Sequence, residues 1–460
     1  MPPPSQVNLR GSPVRGLAMS TVALFAGLTT IVFYGVAGPT FKEALGLTGG
    51  SLGLLLSSPH ISKALLRIPF GAWVDQVGGR KPFLVVLTCS CLGMAGVVGT
   101  LLLYHPSDFD ARLYPALVAF GLIGGAGGAA FSVGIPQTSY WYPRHRQGWA
   151  LGVYAGVGNI GPGAFNLLIP ALIVSAGLTG AYLAWLIFLV VVTLMYAALA
   201  VDPYSFQLSA AGVERGRVRE LATARGQEMF PSGSARESLE QAARTPLTWV
   251  LVLLYTVSFG GGFTALAAWF PTYWHEYHRM SLLEAGALAG AFVAYGSIIR
   301  VPGGSLSDKL GGERVAVGSF LLMAVGASIL TFAASVSLAV IGMLVVGTGM
   351  GVANAAVFKL VPVYVPQSIG GASGWIGGLG GLGTLVVLPM LGTATDLYGD
   401  IGYARGFFVF VVLGLLCATV AFVLRLRETR RGARASQASA ALRVGDEDAV
   451  PCANRNHAEP

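Results

Sequence analysis

Apolar residues run along this chain in long, nearly uninterrupted stretches, and polar residues collect in the segments between them. A helix crosses a hydrocarbon core about 30 Å thick in about 20 residues. Twelve stretches are long enough, starting near Leu17, Leu52, Pro82, Leu113, Gly148, Gly180, Thr248, Leu283, Val315, Leu338, Gly371 and Ala404. Backbone groups in lipid find no water, so each stretch is expected to be helical. The pattern predicts an all-α membrane protein with twelve transmembrane helices in two six-helix, pseudo-symmetric halves. The expected divisions are a tail at 1–16, a first half at 17–201, a polar loop at 202–245, a second half at 246–426 and a tail at 427–460.

Polar positions inside the stretches are few, and two of them repeat. Arg67, Pro69, Gly71, Asp75, Gly78 and Gly79 recur at identical spacing as Arg300, Pro302, Gly304, Asp308, Gly311 and Gly312. Each arginine precedes its aspartate by eight residues, or about 12 Å along a helix, which places it near mid-membrane. A cation there is costly, so it is expected to face the bundle interior and to mark a pathway or a ligand. Two arginines related by a repeat imply one central anion site between the halves, the usual construction of a secondary transporter. Gly38-Pro39-Thr40-Phe41 and Phe270-Pro271-Thr272-Tyr273 extend the repeat.

The charge distribution sets orientation. With the N-terminus inside, the inner segments hold 21 of the 29 basic residues, and the opposite face holds only Lys42, Arg112, Arg279 and Arg405. This bias predicts that both termini are cytoplasmic. The remaining four, Lys63, Arg67, Arg300 and Lys359, lie within stretches, whereas all 21 acidic residues lie in loops, tails or near helix ends. The membrane interior therefore carries fixed positive charge, for which an anionic ligand is the natural counter-charge.

The net charge of +8 reflects this topology rather than a nucleic-acid surface, since no basic or aromatic recognition module is present. Cys89, Cys91, Cys417 and Cys452 have neither disulfide nor zinc spacing, so no metal and no cofactor is expected. No nucleophile–base pair supports an enzyme. The run from Leu17 to Pro39 is too long for a cleaved signal sequence.

Glycine gathers on two helices, as Gly152, Gly156, Gly158, Gly161 and Gly163 in the fifth and as eight of the fourteen residues 370–383 in the eleventh. Small-residue packing explains part of this, and the matched placement favours surfaces that also slide or bend. Gly156, Gly158, Gly161, Gly374, Gly377 and Gly380 are the candidates. In the central loop, Ser234-Ala-Arg-Glu237 predicts a capping box opening a short surface helix that ends before Pro246. The tail after Arg434 reads as disordered.

These segments resemble the nitrate/nitrite porter family of the major facilitator superfamily. The run from Gly71 through Asp75 and Gly79 to Arg80 and Lys81 resembles the superfamily's signature loop between spans two and three. More specific are Leu66-Arg67-Ile-Pro69, Ile299-Arg300-Val-Pro302, Phe131-Ser-Val-Gly134-Ile-Pro136, Ala356-Val-Phe358-Lys359-Leu-Val-Pro362, and the glycine runs around Asn159 and 374–383. The resemblance implies a major facilitator fold and a substrate site in which Arg67 and Arg300 hydrogen-bond a flat anion. Planar guanidinium forks suit a trigonal oxyanion. Phe131 and Phe259 would pack against its faces, with Tyr255 and Asn159 as neutral polar contacts and Lys359 as an inner-gate cation. The chain departs from the family at His60 and Lys63, which share a face of span two with Arg67. They either line the outer vestibule, with Lys63 reaching toward water, or add positive charge to the access path. In a further reading, His60 takes part in proton coupling.

The resemblance further implies nitrate and nitrite as substrates, a lipid bilayer of bacterial inner-membrane type as surroundings, and a monomer. Nitrate/nitrite antiport is favoured because an interior without carboxylates argues against a carboxylate proton relay. Proton–nitrate symport, another small anion such as formate, oxalate or phosphate, and a non-transporting anion sensor remain as alternatives.

Overall fold

Proline, glycine and serine punctuate the apolar stretches, and the computed structural model turns that punctuation into helix ends. It describes residues 8–447 apart from Val36, Thr48 and Ser232. Ten runs among the described residues are long and apolar enough to cross a membrane. One of them, Arg144–Leu199, is two spans, because Gly177 at φ 72° breaks the helix Ile160–Leu199. The twelfth traverse is Gly49–Val77, which carries Lys63, Arg67 and Asp75. The chain is an integral membrane protein.

Span one is Pro13–Thr29, capped by Ser12, span two Gly49–Val77 and span three Arg80–Tyr104. The repeated glycines Gly78 and Gly311 sit at φ 81° and 90°, a left-handed conformation that ends spans two and eight and that favours glycine. Ser234 and Ser281 each close a capping box, the first with Glu237 as the sequence predicts, the second with Glu284 at the start of span eight.

Several spans are interrupted near their middles. Span four passes from Tyr114–Gly124 through a tight turn, Gly125–Ala129, into Ala130–Trp141. Span seven is Pro246–Tyr255, then wide turns over Thr256–Thr264, then Ala265–Thr272. Span eight joins Leu282–Ile298 to Arg300–Leu310, and span eleven joins Ile369–Gly380 to Thr384–Tyr398. Irregular backbone at membrane depth is tolerated where it lines a site, because the freed carbonyls can be used. Phe131, Phe259 and Arg300 all stand at or beside such breaks.

Spans five (Gln147–Gly158, continuing into Ile160–Leu199), nine (Gly312–Phe332) and ten (Val336–Tyr364) complete the frame with the last helix, Phe408–Glu447. That last helix passes beyond Arg434, where the sequence predicts disorder. Residues 435–447 include four alanines, the strongest helix former. Residues 448–460 of the predicted tail lie outside the described residues. The central loop carries three helices, Tyr204–Ala210, Arg215–Thr223 and Ala235–Arg244, where the sequence predicts only the third.

Candidate functional site

The basic ends of the two halves meet through backbone. Gly71 packs on Gly370 and Gly374, and Gly148 packs on Gly304, so closely that an added Cβ would collide with a facing carbonyl. Asp75 accepts hydrogen bonds from Tyr140 Oη (2.5 Å), from Ser238 of the loop helix, and from the Gly370 backbone N–H (3.0 Å). Its repeat partner Asp308 accepts from Gly148 N (2.8 Å), Trp149 N (2.7 Å) and Lys359 Nζ (2.7 Å). In both copies a carboxylate therefore rests on the N-terminus of a helix of the other half, where the dipole favours negative charge. Arg80 and Gly79 do not touch the other half: their backbone N–H groups donate to Asp202 (2.8 Å) and Gln137 (2.9 Å), fixing the loop after span two.

Lys359 reaches across the halves, donating also to the Arg144 carbonyl. The Lys359–Asp308 pair is only 9% exposed on each side. Removing one member of a buried pair costs about 3–5 kcal/mol. Lys359→Met is therefore expected to loosen this end, raising amide exchange at Gly148 and Trp149 at least ~10-fold; unchanged exchange would remove Lys359 from the gate.

Above this closed end lie the two arginines. Arg67 is 3% exposed, and it donates through Nε to the Gly128 carbonyl (3.3 Å) and through Nη1 to Gly377 of the other half (3.0 Å). Its guanidinium stands 4.9 Å from the centre of the Phe131 ring. Arg300 is fully buried between Phe259 and Phe263, 4.9 and 5.3 Å from the ring centres, and none of its three nitrogens has a hydrogen-bond partner. Cation–π contacts contribute about 2 kcal/mol when desolvated. A mid-membrane arginine costs at least ~2.5–3.5 kcal/mol on insertion scales. The rings leave part of that cost standing, and an anion is the ligand class that removes it.

Phe131 and Phe259 are nearly parallel (11°) with centres 6.1 Å apart. A flat ion between two faces needs about 7 Å, twice a carbon contact distance. The space between the rings is therefore too narrow for a flat ion here, and each ring also bears the arginine of its own half. Tyr255 stacks on Phe259 (5.2 Å), and its buried hydroxyl, close to both guanidiniums, makes no hydrogen bond of ordinary geometry. Asn159 is not drawn into this cluster: its amide donates to the Ala155 carbonyl one turn back (2.7 Å). His60 and Lys63 lie on the far side of Arg67, away from the closed end.

The six glycines divide. Gly156 packs on Ser297 across the halves, Gly374 on the Arg67 and Ile68 backbone, and Gly377 on Ser132 and the Arg67 stem. Gly158 and Gly161 instead pack on Leu24 and Phe25 of span one, and Gly380 on Tyr255 of its own half.

Several neighbours escape a sequence reading. Phe263 continues the Tyr255–Phe259 stripe by four residues, a spacing that could have disclosed it. Phe358 stands edge-on to Phe131 (5.3 Å) and Tyr255 (5.0 Å), and only its place beside Lys359 hints at it. Asn354, one turn from Phe358, is 1% exposed with both ends of its amide unpartnered, and Ser297 is a further unpartnered hydroxyl beside Arg300. The cluster is thus rich in donors, apolar at its walls and free of carboxylates, chemistry suited to holding a small planar anion.

A family model described as Major Facilitator Superfamily matches residues 19–388 and 288–452. A protein of Thermus thermophilus named a probable nitrate/nitrite antiporter, NarK1, is 29% identical over 394 residues, covering 80% of this chain and 82% of that protein. The nitrite extrusion protein of Bacillus subtilis is 26% identical over 387 residues, covering 83% and 88%. Among solved structures, the proton:xylose symporter XylE superposes with a TM-score of 0.70 at 16% identity, covering 89% of this chain and 95% of that one. The fucose:proton symporter FucP of E. coli gives 0.68 at 16% identity, covering 90% and 99%.

Proposed function

Because the chain belongs to the major facilitator superfamily, and so is a membrane transporter and not an enzyme, we propose that it carries nitrate and nitrite by alternating access, in exchange for one another. The observation that carries this reading is Arg300, a fully buried guanidinium whose nitrogens find no acceptor in the protein, facing the half that contributes Arg67. A trigonal oxyanion takes parallel N–H bonds from such forks. The names of the related proteins point to the same substrates. Arg67, Arg300, Phe131, Phe259 and Tyr255 would form the site, with Asn159 joining after its side chain turns from Ala155.

Exchange is favoured by the electrostatics. Moving the empty site across the membrane carries two uncompensated cations through low dielectric, and a bound anion at each crossing lowers that cost. With the basic end in the cytoplasm of a bacterial inner membrane, the conformation described here is the one closed inward. The monomer is the working unit, since both arginines come from one chain.

The test is nitrate uptake into liposomes loaded with nitrite and a pH dye. Uptake that requires internal nitrite and leaves internal pH unchanged supports exchange. Uptake into empty vesicles with proton co-movement replaces exchange by symport. No nitrate movement in either case sinks the substrate assignment and brings formate and oxalate forward.

A further inference from the structure

The far side of the arginine pair is arranged differently from the closed side. Every hydrogen bond between the halves among the described residues lies at the arginines or on their basic side: Arg67 with Gly377, Ser132 with Ser373, and the Asp75, Asp308 and Lys359 clusters. Beyond Arg67, span two presents Lys63 and His60. At 100° per residue, Lys63 lies 40° to one side of Arg67 and His60 20° to the other. Leu54, Ile61 and Leu65, exposed by 49%, 42% and 66%, fall 120–160° away and mark the lipid face. His60 is exposed as well, yet it stands on the arginine face, so its exposure is toward the interior of the bundle.

Lys63 is held rather than free to wander. Its stem crosses Gly128, where any Cβ would collide with Lys63 Cγ, and the Gly128 carbonyl is the acceptor for Arg67 Nε. One glycine thus sets both cations. Lys63 takes part in none of the described ion pairs, and the charge that acts on it is that of Arg67, of like sign. It stands four residues from Arg67, about 6 Å farther along the helix and still roughly 12 Å short of the far membrane surface. A lysine stem in lipid does not span that distance, so the ammonium needs the interior passage for its water.

We infer that Lys63 and His60 form a second anion-binding site, one turn outside the central one, where an arriving anion is held before it passes to Arg67 and Arg300. The inference rests on the anion-carrier reading above. An ammonium is a compact point charge without the planar fork of arginine. The outer site therefore accepts any small monovalent anion, and discrimination by shape falls to the inner pair.

Two measurements on the full chain test it. In crystals soaked with bromide, wild type is expected to show anomalous peaks both at the arginine pair and beside Lys63, and Lys63→Gln only the first. A wild-type peak at the arginines alone overturns the outer site. In liposomes, Lys63→Gln is expected to raise the KM for external nitrate 5- to 10-fold at unchanged kcat, with Lys63→Arg restoring it. An unchanged KM in Lys63→Gln likewise overturns the proposal. If wild type moves no nitrate at all, the transport reading fails while the bromide peaks still decide the outer site.

Discussion

Arg300→Lys is expected to lower nitrate uptake into nitrite-loaded liposomes at least ~100-fold, while the purified protein melts no lower than wild type. The guanidinium is fully buried and makes no hydrogen bond to the protein, so shortening it breaks no internal hydrogen bond and loosens its hold on Phe259 and Phe263. What it removes is the planar fork. Charge-assisted hydrogen bonds contribute about 1.5–3 kcal/mol each, and the loss of about 3 kcal/mol is roughly a hundredfold in affinity. Arg67→Lys makes the contrast, because Arg67 also ties Gly128 to Gly377 across the halves. That variant is expected to lose transport and to melt lower. If Arg300→Lys transports normally, the paired-fork site is wrong, whatever the substrate.

Gly304→Val is the second large effect. A Cβ at this position would collide with the Gly148 carbonyl, and Gly148 in turn donates its N–H to Asp308 (2.8 Å). Neither atom is the tip of a flexible side chain, so spans five and eight must separate. Overpacking of this kind costs about 1–3 kcal/mol or more, and here that cost falls only on the conformation closed at the basic end. Transport should fall by at least ~90%, with faster amide exchange across residues 147–151. Gly318→Val is the control, since nothing lies within 4 Å of an added Cβ there. Equal behaviour of the two variants would show that the glycine contact does not govern closure.

The two arginines were legible because charge in an apolar helix is a conspicuous signal and the repeat doubles it. The twelve traverses and the capping box at Ser234 follow equally from local pattern. What the sequence does not disclose is register between helices far apart in the chain. That Phe131 lies parallel to Phe259, that Phe358 stands edge-on to both Phe131 and Tyr255, and that Asn354 is buried without a partner depend on how spans four, seven and ten cross. The mid-span breaks were likewise hidden. Glycines 125, 127, 128 and 260–262 carry no signal of their own in the sequence, and only the fold shows that they loosen the backbone beside Phe131 and Phe259.

The loop helix Ala235–Arg244 is fastened to both halves. Ser238 bonds Asp75 of the first half, and its hydroxyl also accepts from the Gly371 N–H of the second (3.0 Å), while Trp375 of the second half donates to the Leu239 carbonyl (3.2 Å). The segment joining the halves is therefore a clasp as well as a tether, fastened to both flaps at once. Cutting the chain between the helices Tyr204–Ala210 and Arg215–Thr223 leaves that clasp whole. Inserting a few residues between Arg244 and Pro246 lengthens only the strap that holds it in place, so the two edits, equal as changes of connectivity, are unequal as mechanics.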